Sequence, residues 1–364
     1  MRVLLVADVI GGVRAFTEEL VRSLVQAEVE VDLALIGPDA RALADVGASS
    51  CQRRNLRLEW MAEPWADVRA TAEWVEELRA GHRPDVVHMN TFTPVLDPDV
   101  PVLLSAHSCV LTWWRAVHGK DAPAEWAGYR RLVQSALRRA QQVAVPTRAL
   151  LRDLTAVYGE LPRAAVVANG RRGSDPAVIP SRAQRLVVAA GRLWDEAKNA
   201  DVVVRAAPAI GGQVVLIGAG GAPVPARAGD DDPTAIDGHG VVATGELDGP
   251  QVAAWMSRAA VFVEPARYEP FGLAALEAAL GGCALVLGDI PSLREVWGDA
   301  ATYVSPDDPQ ALAHAVNALL DDPDRRARAA RRAGQRARRY SAEAMGQRYI
   351  GLYAQLARLP MVAA

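Results

Sequence analysis

Cysteine is scarce. Cys51, Cys109 and Cys283 are the only three in 364 residues. An odd count without Cys-x-x-Cys spacing argues against a disulfide framework and against a structural zinc site. No apolar run approaches the ~20 residues that cross a bilayer. Residues 1–7 are apolar, but they are too few for a secretory signal and run into Asp8. They read as a first strand, which places the protein in the cytosol. The net charge of −3 excludes a globally basic nucleic-acid binder. No G-x-G-x-x-G is complete, so the chain is a poor NAD oxidoreductase. The length favours two domains over one, and abundant Ala and Arg suggest a bacterial genome of high GC content.

What is present centres on residues 264–282. Residues 260–263 are a short apolar run, read as a strand. A turn follows with Pro265 and Pro270. Residues 271–280 are strong helix formers, closed by Gly281 and Gly282. The helix therefore opens near Phe271, Gly272 and Leu273. Its first N–H groups have no partner within the helix, and with the helix dipole they form an anion site that Gly272 leaves open. Glu269 and Glu277 flank that site. Carboxylates would repel a phosphate, so they read better as acceptors for hydroxyl groups. Phosphate at one end and hydroxyls on either side suit a nucleotide sugar. The other reading is a surface helix with solvated glutamates.

The stretch Glu269-Pro-Phe-Gly-Leu-Ala-Ala-Leu-Glu277 resembles the Glu-x7-Glu motif of retaining glycosyltransferases of the GT-B fold, family 4 type. Gly191-Arg192, with Lys198 six residues on, is similar to that family's donor-phosphate motif. Independently of the family, Arg offers phosphate a planar fork and Lys a point charge. Each charge-assisted hydrogen bond contributes roughly 1.5–3 kcal/mol.

The first half alternates strands and helices: strands at 3–6, 30–36, 83–90, 100–105, 143–145 and 165–168, helices at 13–26, 65–80 and 121–140, and a helix cap at Thr147. Gly11 and Gly12 form a turn after the first strand, open to a phosphate or acceptor group or simply tight. His88, Asn90 and His107 fall at strand ends, the edge where open α/β sheets bind ligands. For His88 a structural role and a functional one are both open, and Asn90 departs from the family's second histidine. Adjacent Trp113 and Trp114 cannot share one helix face, so one is available to cover a sugar or an apolar acceptor. Residues 51–64 and 109–123 read as variable acceptor loops. The pattern restarts after a Gly/Pro-rich linker at 171–181, with strands at 186–190, 214–217, 241–243, 284–287 and 301–304. Helices follow at 200–210, 311–320, 324–339 and 342–356. Gly229-Asp-Asp-Asp232 suggests a metal site or a solvated loop. Eight arginines at 325–339 read as a solvated face or as a peripheral contact with an anionic membrane.

The resemblance implies an α/β protein of the GT-B fold: two Rossmann-like domains with parallel sheets facing across a cleft. Residues 1–172 would be the acceptor side and 173–340 the donor side, with 341–364 returning to the first domain. It further implies a hexose-type transfer from a nucleotide diphosphate sugar, UDP before GDP, with retention and neither cofactor nor metal. Arg192 and Lys198 would meet the diphosphate with Gly11, Gly12, Phe271, Gly272 and Leu273. Glu269 would hold sugar hydroxyls, Glu277 the ribose, Leu247 the base, and His107 would orient the sugar. An epimerase or phosphorylase on the same fold, or a non-catalytic sugar-nucleotide binder, are the rival readings.

Overall fold

The computed structural model describes residues 1–37, 43, 45–94, 99–173, 185–220 and 241–358. It divides into two compact units, Met1–Arg172 with Ala342–Ala364, and Gly173–Ser341.

In unit 1, β1 (Arg2–Asp8), β2 (Glu30–Ile36), β3 (Ser50–Arg54), β4 (Val86–Met89), β5 (Val102–Ser105), β6 (Gln142–Val145) and β7 (Ala164–Val166) form one sheet. Among the described residues its order is β3-β2-β1-β4-β5-β6-β7. Every pairing is parallel. The central strands are mostly apolar, as in parallel sheets buried on both faces; Val3, Leu5 and Val6 are fully buried. The helices of the first half are α1 (Gly12–Gln26), α2 (Trp65–His82), α3 (Val110–His118), α4 (Ala127–Arg139) and α5 (Arg148–Tyr158). Thr147 caps α5, its hydroxyl accepting from the Leu150 N–H at 3.1 Å.

Unit 2 contains β8 (Leu186–Ala190), β9 (Gln213–Ile217), β10 (Val241–Ala243), β11 (Val261–Glu264), β12 (Ala284–Gly288) and β13 (Thr302–Val304), in the order β10-β9-β8-β11-β12-β13. All pairings are again parallel. Its helices are α6 (Ala200–Ala206), α7 (Gly249–Arg258), α8 (Leu273–Leu280), α9 (Pro291–Trp297), α10 (Pro309–Leu320) and α11 (Pro323–Ala337). Val187, Val261, Val263, Val286, Leu312 and Val316 lie in its core.

Three expectations need correction. Residues 51–64 begin as a strand, not a loop: β3 pairs with β2 at the sheet edge. Its sequence, Ser-Cys-Gln-Arg-Arg, is mostly exposed and has no apolar alternation to reveal it. Residues 109–123 contain α3, closed by Gly119 in the left-handed region at φ 66°. The helix expected from residue 121 starts later. Pro123 is extended, a short 3-10 turn spans Ala124–Trp126, and α4 follows. Helix α7 escaped the sequence reading although Asp248 and Gln251 form a capping box.

The last helix, α12 (Ala342–Leu356), belongs to unit 1 and packs on α1. Gly346 makes this approach possible, since a Cβ there would stand 2.6 Å from that of Ser23. The Ser23 hydroxyl donates to the Ala342 carbonyl at 3.1 Å. Deeper in, His88 Nδ1 lies 2.6 Å from the Tyr353 hydroxyl and Nε2 lies 2.7 Å from Ser105 Oγ, which in turn meets the Tyr349 hydroxyl at 2.9 Å. His88 is fully buried and stacked on Tyr349, so its role is structural. Burial, then the neighbouring His107, hold its pKa well below the usual histidine value.

This network makes unit 1 acid-sensitive. Burial lowers His107 as well, to about 4. Unfolded histidines take a proton near pH ~6.5, whereas the folded ones do not until lower pH. The histidines' contribution to stability is therefore complete above ~6.5 and falls as pH drops, by up to ~1.4 kcal/mol per pH unit for each histidine. Denaturant midpoints between pH 8 and pH 4.5 should show this slope, and His88→Phe should flatten it. An unchanged slope in that variant contradicts the assignment.

Candidate functional site

The strand order of unit 2 reverses between β8 and β11, and open α/β sheets bind ligands beyond the carboxyl ends of such a pair. The segment 191–199 leaves β8 there, and β11 ends there at Glu264. Two bonds fix one to the other, and a third ties the segment to the turn after β13. Asn199, left-handed at φ 59°, donates from Nδ2 to the carbonyls of Pro265 at 3.1 Å and Pro306 at 2.6 Å. The Arg267 N–H donates to the Ala197 carbonyl at 2.9 Å. On the other side, Gly218 touches Gly191 so closely that a Cβ would fall 1.7 Å from the Gly191 carbonyl oxygen.

This frame delivers the Lys198 ammonium to two carboxylates. Nζ donates to Glu264 Oε1 at 2.7 Å and to Glu269 Oε2 at 2.5 Å. The other Glu269 oxygen accepts the N–H groups of Gly272 at 2.8 Å and Phe271 at 3.2 Å. Glu269 thus sits on the start of α8, whose cap Gly272 is left-handed at φ 90°. The Ser292 hydroxyl donates to the Glu269 carbonyl at 2.5 Å and steadies the turn. Phe271 is buried edge-on to Tyr340.

The expected anion site is therefore already in contact with an anion of the chain's own. Of about four acceptor positions on the Glu269 carboxylate, three are engaged and one is left for a hydroxyl. Arg192 is likewise partnered: Nη2 donates to Asp195 Oδ2 at 2.9 Å, and the guanidinium lies 5.7 Å from the ring centre of exposed Trp194. Its Nε is buried without a hydrogen-bond partner among the described residues.

Protonation follows the geometry. Burial alone would lower Lys198, but Glu264 and Glu269 outweigh it and the ammonium stays charged. Burial alone would raise Glu269; Lys198 and the two N–H groups outweigh that and hold it below the usual carboxylate value. Glu264 goes the other way. Burial lifts it to about 7 against the pull of Lys198, with Glu269 adding to the rise. Glu264 was missed in the sequence, where the signal was a carboxylate closing the apolar run Val-Phe-Val.

The remaining candidates are dispersed. Glu277 lies half-buried on α8, and Leu247 is half-buried in the turn before α7. In unit 1, Gly11 and Gly12 are exposed where α1 starts, Gly11 at φ 58°. His107 follows β5 and packs edge-on to Phe16 at 4.2 Å. Trp113 and Trp114 are both half-buried, packed on each other and on His118. Residues 229–232 and most of the 171–181 linker lie outside the described residues. Among those described, no three metal-ligating side chains gather, and no helix is long and apolar enough to cross a membrane.

On α11, Arg326 donates to the Leu319 and Leu320 carbonyls and Arg336 to those of Glu295 and Val296. Arg325, Arg328, Arg331, Arg332, Arg338 and Arg339 stand exposed. The apolar side, Ala329, Ala333 and Ala337, is buried against the helix's own unit, leaving no face to insert into lipid.

Two family models match the chain: Glycosyltransferase Family 4 over residues 10–172, and Glycosyl transferases group 1 over residues 184–322. The chain belongs to the group 1 glycosyltransferases. Over 92 residues it is 49% identical to the glycogen synthase of Mycobacterium tuberculosis, a match covering 24% of this chain and 22% of that one. The matched stretch is thus about a fifth of that relative. Among solved structures, the sucrose-phosphate synthase of Thermosynechococcus elongatus superposes with TM-score 0.77 at 19% identity, covering 98% of this chain and 99% of that one. HepE of Anabaena, solved with UDP and glucose, gives 0.73 at 15% identity, covering 97% and 99%. These likenesses show that the chain has the GT-B fold, two α/β domains with parallel sheets.

Removing the shared cation tests the cluster. Lys198→Met leaves two buried carboxylates and should destabilise the protein by about 3–5 kcal/mol at pH 8. The loss should shrink at pH 6, where Glu264 takes a proton. Equal losses at both pH values, measured by denaturant unfolding, contradict the geometry.

Proposed function

We propose that the protein transfers a hexose-type sugar from a nucleoside diphosphate sugar, UDP before GDP, with retention of configuration. The observation that carries this reading is the placement of Lys198, Glu269 and the start of α8 at the switch point of the unit 2 sheet. Departure of the sugar loads negative charge onto the diphosphate. The Lys198 ammonium, the Arg192 guanidinium and the dipole of α8 stabilise that charge, the kind of effect that usually dominates such catalysis. In the proposal no metal takes part. The leaving phosphate accepts the acceptor's proton on the same face.

Glu269 receives a sugar hydroxyl at its remaining acceptor position, and Glu277 receives the ribose. His107 is neutral at physiological pH because burial lowers it, so it is assigned hydrogen bonding to the sugar and no charge. The neighbour solved with UDP and glucose supports the choice of uridine.

Arg192→Ala should reduce turnover by about 10²–10³-fold while the protein stays folded, because its buried partner Asp195 keeps the hydrogen bond from the Ala197 N–H. The assay is product analysis with UDP-glucose and a panel of polyol acceptors. An α-linked glycoside from an α-linked donor supports retention. Full activity in the variant contradicts the reading. Epimerised donor without acceptor, consumption of free phosphate, or binding without any product would each replace it with one of its rivals.

A further inference from the structure

Glu264 has no part in the reaction as proposed, yet it is 3% exposed and directly bonded to the central cation. Its second oxygen, Oε2, has no hydrogen-bond partner among the described residues. That oxygen lies 3.6 Å from where a Cβ on Gly272 would stand, so it faces the start of α8. One ammonium is thus shared by two carboxylates, and the cluster carries an excess negative charge whenever both are ionised. A diphosphate arriving at Lys198 would add two or three further negative charges to a site with little water.

Resting on the donor reading above, we infer that Glu264 is a positioning residue that takes up a proton when a nucleoside diphosphate binds. In the empty site its carboxylate shares the hold on Lys198. When phosphate oxygens take a share of the ammonium, Glu264 accepts a proton from solvent and becomes a neutral carboxyl. Lys198 then stays beside Glu269 and faces the diphosphate.

The charged groups acting on Glu264 are Lys198, from the segment before α6, and Glu269, from the turn before α8. From β12 its register partner is Leu287, which brings no charge. Glu269 cannot take the proton in its place, because Lys198 and two backbone N–H groups hold it ionised. The elevated carboxyl of Glu264 lies where a small change in charge balance shifts its protonation.

Linkage fixes the sign. If binding protonates Glu264, affinity falls as pH rises through and above the empty-site value. A one-unit rise of that carboxyl on binding is worth about tenfold in affinity. The experiment measures dissociation constants of UDP and GDP by calorimetry from pH 6 to pH 8.5 for the full chain and Glu264→Gln. Using the same ligands with both proteins cancels the titration of the phosphate itself. The Gln variant should bind within about twofold of wild type at pH 6 and about tenfold tighter at pH 8.5. Parallel pH profiles overturn the inference and leave the donor reading standing. A wild-type protein that binds neither nucleotide overturns both. Proton uptake by wild type alone, from binding heats at pH 8 in two buffers of different ionisation enthalpy, decides the matter should the variant misfold. Uptake supports the inference, and none refutes it.

Discussion

One ammonium between two carboxylates organises unit 2. Lys198 is held by Glu264 and Glu269, and Glu269 spends its other oxygen on the N–H groups that open α8. Three chain segments, one leaving β8, one ending β11 and one starting α8, are thereby tied at a single point. Buried charges persist only when paired and hydrogen-bonded. The cluster pairs its ammonium without any ligand and leaves only the second oxygen of Glu264 without a partner among the described residues. On the proposed reading, a diphosphate would compete with carboxylates already bonded to the cation rather than enter a vacant positive pocket. Arg192 with Asp195 repeats the arrangement nearby.

Such self-neutralisation reconciles stability with binding. An uncompensated lysine in this setting would be costly to bury, whereas a paired one can trade partners at little net change in contacts. Backbone links through Asn199 and Arg267 keep the frame in place while the partners exchange. Unit 1 addresses its buried polar groups differently. His88, Ser105, Tyr349 and Tyr353 satisfy one another as neutral groups, so they fasten α12 to the sheet without charge.

Much of this was legible in the sequence because parallel strands covered on both faces are near-continuous apolar runs. Val3 to Val6, Val214 to Ile217 and Ala284 to Leu287 are visible for that reason. The edge strand β3 was not, since Ser-Cys-Gln-Arg-Arg is exposed and its pairing depends on β2 alone. Arg192, Lys198 and Glu269 could be named from residue type and spacing, but their pairings could not. Whether a lysine meets phosphate or carboxylate depends on which loops are tied together. Those ties run through backbone carbonyls at Pro265, Ala197 and Pro306, which no side-chain pattern encodes. Glu264 was hidden by its position, one residue past a run that reads as plain strand.

The most direct measurement is a crystal structure of the chain with uridine diphosphate. The account predicts a phosphate oxygen within about 3 Å of Lys198 Nζ, with Glu269 still accepting from Phe271 and Gly272. A diphosphate bound with no oxygen near either Lys198 or the start of α8 would contradict it.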